Sequence, residues 1–382
     1  VNSFIKRGRR CFAALLAAGL LWAFPSLAQG AEPGVSAECA VLISGETGTV
    51  LYEKNAYERH AMASTTKIMT ALLALEESAR AGDPVVDITE EMVAVEGSSM
   101  GLQVGNRLHL SELTAGMMLA SGNDAANACA LFLSGSQEGF GALMNERAGE
   151  IGMKDTHFVT PSGLDDEAHF STAYDMALLT KTALENQDFE DIVKCFTRQV
   201  EFLDPAGTVS YTNHNKLLQL YEGCIGVKTG FTKKAGRCLV SAARREGATL
   251  IAVTLNAPDD WDDHIALLDY GFSMMQSVAF DGAQVTARVP LAGGSLDSVQ
   301  VQGAAGEIRS LPAVDAERIE RRVLLPKFLY APVHAGDKVG RVQYFAGGKE
   351  IYSLPVVAAE SVPAAEKKEP GFWQRLFHWD WA

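Results

Sequence analysis

Ser64 stands three residues before Lys67, at the head of Ile68 to Glu77, a run rich in alanine and leucine with no proline or glycine. Such a run predicts a helix. Positions i and i+3 share a helical face, so the hydroxyl and the amine would lie one above the other. A serine hydroxyl is a weak nucleophile at neutral pH and needs a base to take its proton. A lysine that is partly desolvated and close to other cations can be neutral and act as that base. The helix N-terminus also offers free N–H groups to an oxygen that becomes negative. Alone, a serine before an apolar run reads equally well as an N-cap.

Two further patterns follow in order. Ser121-Gly-Asn123 breaks two apolar runs, placing a hydroxyl and a carboxamide two residues apart, and Asp124 opens the second run with its acid at the favourable end of a helix. Lys228-Thr229-Gly230 lies in Gly226 to Phe231, the first strand of an expected antiparallel meander continued by Gly236 to Ala243 and Ala248 to Asn256. Lys228 and Gly230 share one face there, and Thr229 takes the other unless the strand twists or bulges. A glycine inside a strand permits close approach by a ligand, and the neighbouring N–H groups can pair with an extended peptide.

The elements that would position these groups are readable. Cys39 to Ser44 and Thr49 to Glu53 predict a hairpin, and the helix after Ser64 stops near Gly82-Asp83-Pro84. Residues 85–110 read as short strands. Helices are expected from Leu110, Asp124, Phe140, Thr172 and Asp262. Beyond Ser277, short strand-like runs such as Val285 to Leu291, Ser298 to Val301, Arg322 to Leu325 and Val342 to Phe345 alternate with glycines, which predicts a small all-β domain without a catalytic motif.

Each pattern is weak singly; the ordered set Ser64-x-x-Lys67, Ser121-x-Asn123 and Lys228-Thr229-Gly230 is much more specific. The chain resembles the D-alanyl-D-alanine carboxypeptidases among the low-molecular-mass penicillin-binding proteins. The resemblance extends to Leu51-Tyr-Glu-Lys-Asn-Ala56, Ala63 to Leu72, Ser121 to Ala126, and Lys228 to Thr232 with Ala235-Gly236. It covers residues 37–275 closely and the rest loosely. It implies an α+β, penicillin-binding/serine β-lactamase-like transpeptidase fold, an antiparallel sheet with helices, followed by the β-rich C-terminal domain. It also implies removal of the terminal D-alanine from peptidoglycan stem peptides, with β-lactams as covalent inhibitors. By the same resemblance, Ser64 is the nucleophile, Lys67 its base, and Ser121 passes a proton to the leaving amine. Asn123 positions the acyl peptide, Lys228 supplies electrostatics, and Thr229 binds the terminal carboxylate beside Gly230. The backbone N–H groups of Ser64 and Phe231 form the oxyanion hole. Met62-Ala63 departs from the family, where proline commonly precedes the nucleophile. No Glu-x-x-Leu-Asn run lies between Ser121 and Lys228, so rapid β-lactam hydrolysis is not expected. A transpeptidase, an endopeptidase or a non-hydrolytic penicillin sensor remains the alternative.

The whole chain sets the remaining bounds. Its 382 residues suffice for two domains, and a net charge of −14 without a basic block argues against nucleic-acid partners. Lys6, Arg7, Arg9 and Arg10, the apolar run Cys11 to Phe24 and the small residues of Pro25 to Ala28 read as an export signal over residues 1–28. The expected site of action is therefore the outer face of the cytoplasmic membrane or the cell wall. The catalytic unit is expected over residues 37–276, the β-rich domain over 282–360 and a polar linker over 361–370. The aromatic tail 371–382, with Trp373, Trp379 and Trp381, is too short to span a bilayer and is expected to lie on a membrane surface. Cys39, Cys129, Cys195, Cys224 and Cys238 are odd in number outside the leader, and Cys224 reads as a structural thiol. His169, His214 and His264 read as structural or surface residues. Neither the cysteines nor the histidines have metal-ligand spacing, so no metal or cofactor is expected.

Overall fold

The structure is a computed structural model, and it describes residues 31–366. The expected export signal and aromatic tail lie outside the described residues. The catalytic half begins with the hairpin β1 (Cys39–Ser44) and β2 (Val50–Lys54), followed by a 3-10 turn at Ala63–Thr66 and α1 (Lys67–Ala81). Gly82 closes α1 in the left-handed conformation, φ 74°, which glycine adopts without a side-chain penalty. The segment expected as strands holds β3 (Val85–Asp87) and β4 (Arg107–His109), with a short helix α2 (Glu90–Val93) between them. Four helices follow: α3 (Leu110–Ala120), α4 (Asn123–Ser134), α5 (Gln137–Ile151) and α6 (Ala173–Ala183). Next come α7 (Gln187–Val193), the hairpin β5 (Thr197–Leu203) and β6 (Ala206–Thr212), and α8 (Leu217–Leu220).

The predicted meander is present as β7 (Cys224–Thr232), β8 (Gly236–Arg245) and β9 (Ala248–Leu255), backed by α9 (Asp260–Ser273). With the first hairpin it makes a five-stranded antiparallel sheet, order β2-β1-β9-β8-β7, which leaves β7 on an edge. Strand β9 is buried at every position, because helices cover both faces. One core contains Ile68, Leu72, Leu113, Met117, Ala126 and Val253 and surrounds α1. The other contains Leu42, Leu239, Leu250, Leu267 and Leu268 and lies under α9.

The C-terminal unit starts at β10 (Met275–Phe280), earlier than the expected residue 282, because β10 pairs with β13 (Glu307–Pro312). The other elements are β11 (Thr286–Ala292), β12 (Ser298–Gly303), α10 (Ala313–Ala316), β14 (Glu320–Leu324), β15 (Leu329–Tyr330), β16 (Lys338–Ala346) and β17 (Lys349–Ala358). They form a six-stranded sheet, order β14-β16-β17-β12-β11-β15, around Phe280, Val299, Val301, Val342 and Val356. The linker expected from residue 361 is still part of this unit: Val362 is fully buried and pairs with Val333, and Ala364 pairs with Gly294.

Candidate active site

Ser64 sits in the 3-10 turn ahead of α1, not in the helix itself. The preceding Ala63 has φ 47°, a left-handed conformation that costs energy for a residue with a Cβ. Side chains hold the turn in place. The Thr65 hydroxyl donates to the Met62 carbonyl at 2.6 Å, and the Thr66 hydroxyl donates to the Ala63 carbonyl at 2.8 Å. The Val159 N–H donates to His169 Nδ1 at 2.9 Å, which leaves Nε2–H to donate to Thr66 Oγ1 at 2.8 Å. Burial pushes the His169 pKa down to about 4, consistent with this neutral form. Gly163 presses on the same carbonyl: a Cβ there would lie 1.9 Å from the Ala63 oxygen. The 159–169 segment thus clamps the turn that aims Ser64.

Lys67 is fully buried, and its Nζ lies 2.9 Å from Ser64 Oγ. It also donates to Asn123 Oδ1 and to the Ser162 carbonyl, both at 2.8 Å. Those two oxygens can only accept, so they take two of the amine's protons. The remaining position on nitrogen faces Ser64 and is a lone pair when the amine is neutral. Burial, and then the nearby Lys228 charge, hold the Lys67 pKa well below the usual lysine value; Asp124 opposes them.

Ser121 ends α3 in the left-handed conformation, φ 57°. Asn123 begins α4, where its N–H donates to the Ser98 carbonyl at 2.7 Å and its Nδ2 donates to the Glu96 carbonyl at 2.7 Å. The carboxamide is therefore engaged by Lys67 on one side and by the 96–102 loop on the other. Asp124 fixes that loop: its carboxylate accepts from the N–H groups of Met100, Gly101 and Leu102 at 2.9, 3.1 and 3.1 Å, and from the Ser99 hydroxyl at 2.6 Å. Sequence reading gave Asp124 only a helix-dipole role. Its partners lie 22–25 residues upstream, and no local pattern marks them.

Lys228 and Thr229 point to alternate sides of β7, yet both serve one site because β7 is an edge strand. The Lys228 Nζ reaches Ser121 Oγ at 3.0 Å and its neighbour's carbonyl, that of Thr229, at 2.9 Å. Burial lowers its pKa to about 7. Gly230 packs on the nucleophile's turn, where a Cβ would lie 2.9 Å from Ser64 N and 3.1 Å from the Met62 carbonyl oxygen. Only glycine lets the strand edge come this close.

Ser64, Ser121, Thr229, Gly230 and Phe231 line an open cleft of about 490 Å³, with Lys67, Asn123 and Lys228 buried beneath it. Sequence reading missed four of its other walls: Ser98, Arg237, Asp260 and Trp261. It also placed His214 as structural or surface, whereas that residue lines the cleft, and its pKa is lowered by burial and then by Lys228. Arg237 pairs with Phe231 across β7 and β8, so it shares a face with Thr229 two residues along. It is held by Asp260 at 2.6 Å. A strand pair and a helix start join these residues, and nothing local in the sequence could.

Other reactive types are accounted for by packing. His264 is fully buried, bonded to Ser241 and Thr254, and its pKa is lowered to about 3. The Cys224 thiol donates to the Gly226 carbonyl, and burial raises its pKa to about 11. All five described cysteines are free. Among the described residues, no three His, Cys, Asp or Glu side chains gather to hold a metal ion.

The chain is similar to known proteins over most of its length. Residues 27–259 match the family of D-alanyl-D-alanine carboxypeptidases, and residues 274–364 match the C-terminal domain of penicillin-binding protein 5. The D-alanyl-D-alanine carboxypeptidase DacC of Escherichia coli is 34% identical over 391 residues, covering 96% of this chain and 94% of that protein. DacF of Bacillus subtilis, of the same description, is 32% identical over 355 residues, covering 89% of this chain and 90% of its own. The solved structure of penicillin-binding protein 5 from Haemophilus influenzae superposes with a TM-score of 0.61 at 27% identity, covering 87% of this chain and 99% of that one. The described residues therefore have the penicillin-binding fold with its all-β C-terminal domain, and the chain belongs to the D-alanyl-D-alanine carboxypeptidase family.

Proposed function

We propose that this protein is a serine-type D-Ala-D-Ala carboxypeptidase that trims peptidoglycan stem peptides outside the cytoplasm. The observation that carries the reading is the buried Lys67 amine, with two acceptor oxygens on one side and Ser64 Oγ at 2.9 Å on the other. Neutral Lys67 takes the Ser64 proton as Oγ bonds to the penultimate D-Ala carbonyl carbon. The oxyanion is met by the N–H groups of Ser64 and Phe231, beside the close contact of Gly230 with the nucleophile's turn. The C–N bond then breaks as the proton held by Lys67 is passed through the Ser121 hydroxyl, which Lys228 backs, to the leaving amine, and Lys67 is neutral again. Water adds to the acyl-Ser64 ester as Lys67 takes its proton, and that proton returns to Ser64 Oγ when the ester bond breaks and frees the shortened peptide.

The free carboxylate of the substrate needs a cation as well as the Thr229 hydroxyl. Lys228 is buried and already engaged, whereas Arg237 is part-exposed in the cleft wall, on the face of Thr229. We assign Arg237 that role. The same cleft accepts β-lactams as slowly released acyl donors. The test compares release from an acyl-D-Ala-D-Ala peptide with release from its C-terminal amide. A carboxypeptidase cleaves the acid far faster, and equal rates on the two substrates would refute the reading.

A further inference from the structure

His214 lines two cavities, the catalytic cleft and a groove of about 500 Å³ walled by Phe196, Asn213, Lys216, Gln219 and Leu220. The segment between them alternates: Asn213, Asn215 and Leu217 are buried, and His214 and Lys216 are exposed. Two carboxamides set that alternation. The Asn213 Nδ2 donates to the Val193 carbonyl at 3.2 Å, and the Asn215 Oδ1 accepts from the Leu217 N–H at 3.1 Å. The Asn213 N–H donates to the Phe196 carbonyl at 2.7 Å, which seats Phe196 in the groove wall. The wall is apolar at Phe196 and at Leu220, which is 61% exposed, and it carries an amine and a carboxamide at Lys216 and Gln219. From Tyr211 to Tyr221 there is no acidic residue, in a chain whose net charge is −14.

The place of the groove along the cleft decides what enters it. The N–H groups of Ser64 and Phe231 mark the reacting carbonyl, whereas Lys228 and Ser121 mark the leaving amine. Burial and then the Lys228 charge lower the His214 pKa, so that ring stands near Lys228, and α8 packs against β7 beside it. The groove therefore opens at the leaving-group end, next to the place given to the terminal D-alanine. We infer that it takes the side chain of a leaving residue longer than alanine: a D-amino acid that keeps a free carboxylate for Thr229 and Arg237 and carries a methylene stem ending in a carboxylate. The inference rests on the carboxypeptidase reading above and widens its substrate class. The stem covers Phe196 and Leu220, and the acidic end meets Lys216 with no acid in the wall to compete for it. The bond broken is unchanged: water gives its hydroxyl to the acyl carbon and its proton to the leaving amine. Such a residue is either a single D-amino acid ending one stem peptide or the cross-linked residue of a second one.

The test uses residues 29–382 and three substrates: acyl-D-Ala-D-Ala, acyl-D-Ala-D-Lys bearing succinyl on Nε, and a cross-linked dimer of stem peptides. Release of succinyl-D-lysine should have a kcat/KM within about tenfold of that for D-alanine. Lys216→Glu with Leu220→Glu, at positions outside the cleft lining, should raise KM for the succinyl substrate about tenfold and leave its kcat unchanged. D-alanine release by the double variant should be unaltered. Cleavage of the dimer with the same sensitivity to the double variant gives the groove to a second strand; cleavage of the succinyl substrate alone gives it to a single residue. Normal D-alanine release with the succinyl substrate refused, or with that substrate cleaved equally well by the double variant, would overturn the inference and leave the carboxypeptidase reading standing. An equal loss on both small substrates in the double variant would overturn it too, since the change would then be structural. Absence of D-alanine release from the unaltered chain would instead remove the carboxypeptidase reading, and this inference with it.

Discussion

The catalytic half and the C-terminal sheet treat buried polar groups in opposite ways. Around the cleft the fold buries Lys67, Lys228, Ser121, Asn123, Asp124 and His169, and the structure gives each a partner. The C-terminal unit buries Ser310, Asp315 and Gln343, and Asp315 faces the joint with the catalytic half. An apolar core there costs less, because a buried charge must be matched by good geometry or it destabilises. The difference teaches where function lies: costly burial is concentrated where an amine must be neutral and a hydroxyl aimed.

Breaking the costly arrangement should have the largest effects. Lys67→Ala removes the base and should slow acylation by benzylpenicillin by roughly 10²- to 10⁴-fold, read by stopped-flow. Near-normal acylation would point to another base. The same amine sets the acid side of the pH profile. Burial holds its pKa well below the usual lysine value, so acylation should fall as pH drops through that depressed value.

Effects one step removed should be smaller. His169→Ala unties Thr66 and should slow acylation roughly tenfold to a hundredfold through misplacement of Ser64. His169→Asn, which can still donate to Thr66, should recover part of that loss, and an equal loss in both variants would contradict the clamp. Arg237→Leu should raise KM about tenfold for peptides with a free carboxylate and change it little for the C-terminal amide. Lys228, lowered to about 7, loses its charge as pH rises through that value, so the support it gives Ser121 weakens and the rate of D-alanine release should fall above about pH 7. Lys228→Arg should flatten that fall. In the apolar unit, Val356→Ala should lower stability by roughly 2 kcal/mol, read by thermal melting, with D-alanine release at 25 °C unchanged.

The same contrast decides how much was legible. Chemistry restricts residue type, so Ser64, Lys67, Ser121, Asn123 and Lys228 with Thr229 and Gly230 stood out by identity and order before any geometry. The clamp was not legible, because Thr66 and His169 are 103 residues apart and meet only through the 3-10 turn and the 159–169 segment. Arg237 and Asp260 escaped for a similar reason: β8 and the start of α9 bring them together. In the fold, Gly347-Gly348 does break the strand-like runs, as the turn between β16 and β17, but β17 itself was not anticipated. Helix α7 and the β5–β6 hairpin were not anticipated, although Asn186 caps α7 by accepting from the N–H groups of Asp188 and Phe189. Strand β6 is exposed along nearly its whole length, so it shows no buried alternation to read.

The most direct measurement is intact-protein mass spectrometry after benzylpenicillin treatment, run beside D-alanine release from an acyl-D-Ala-D-Ala peptide, for the unaltered chain and Ser64→Ala. A single covalent adduct on the Ser64 peptide, with both adduct and release lost in Ser64→Ala, is the predicted result. Release or labelling that survives in Ser64→Ala would contradict the role given to Ser64 and its buried lysine.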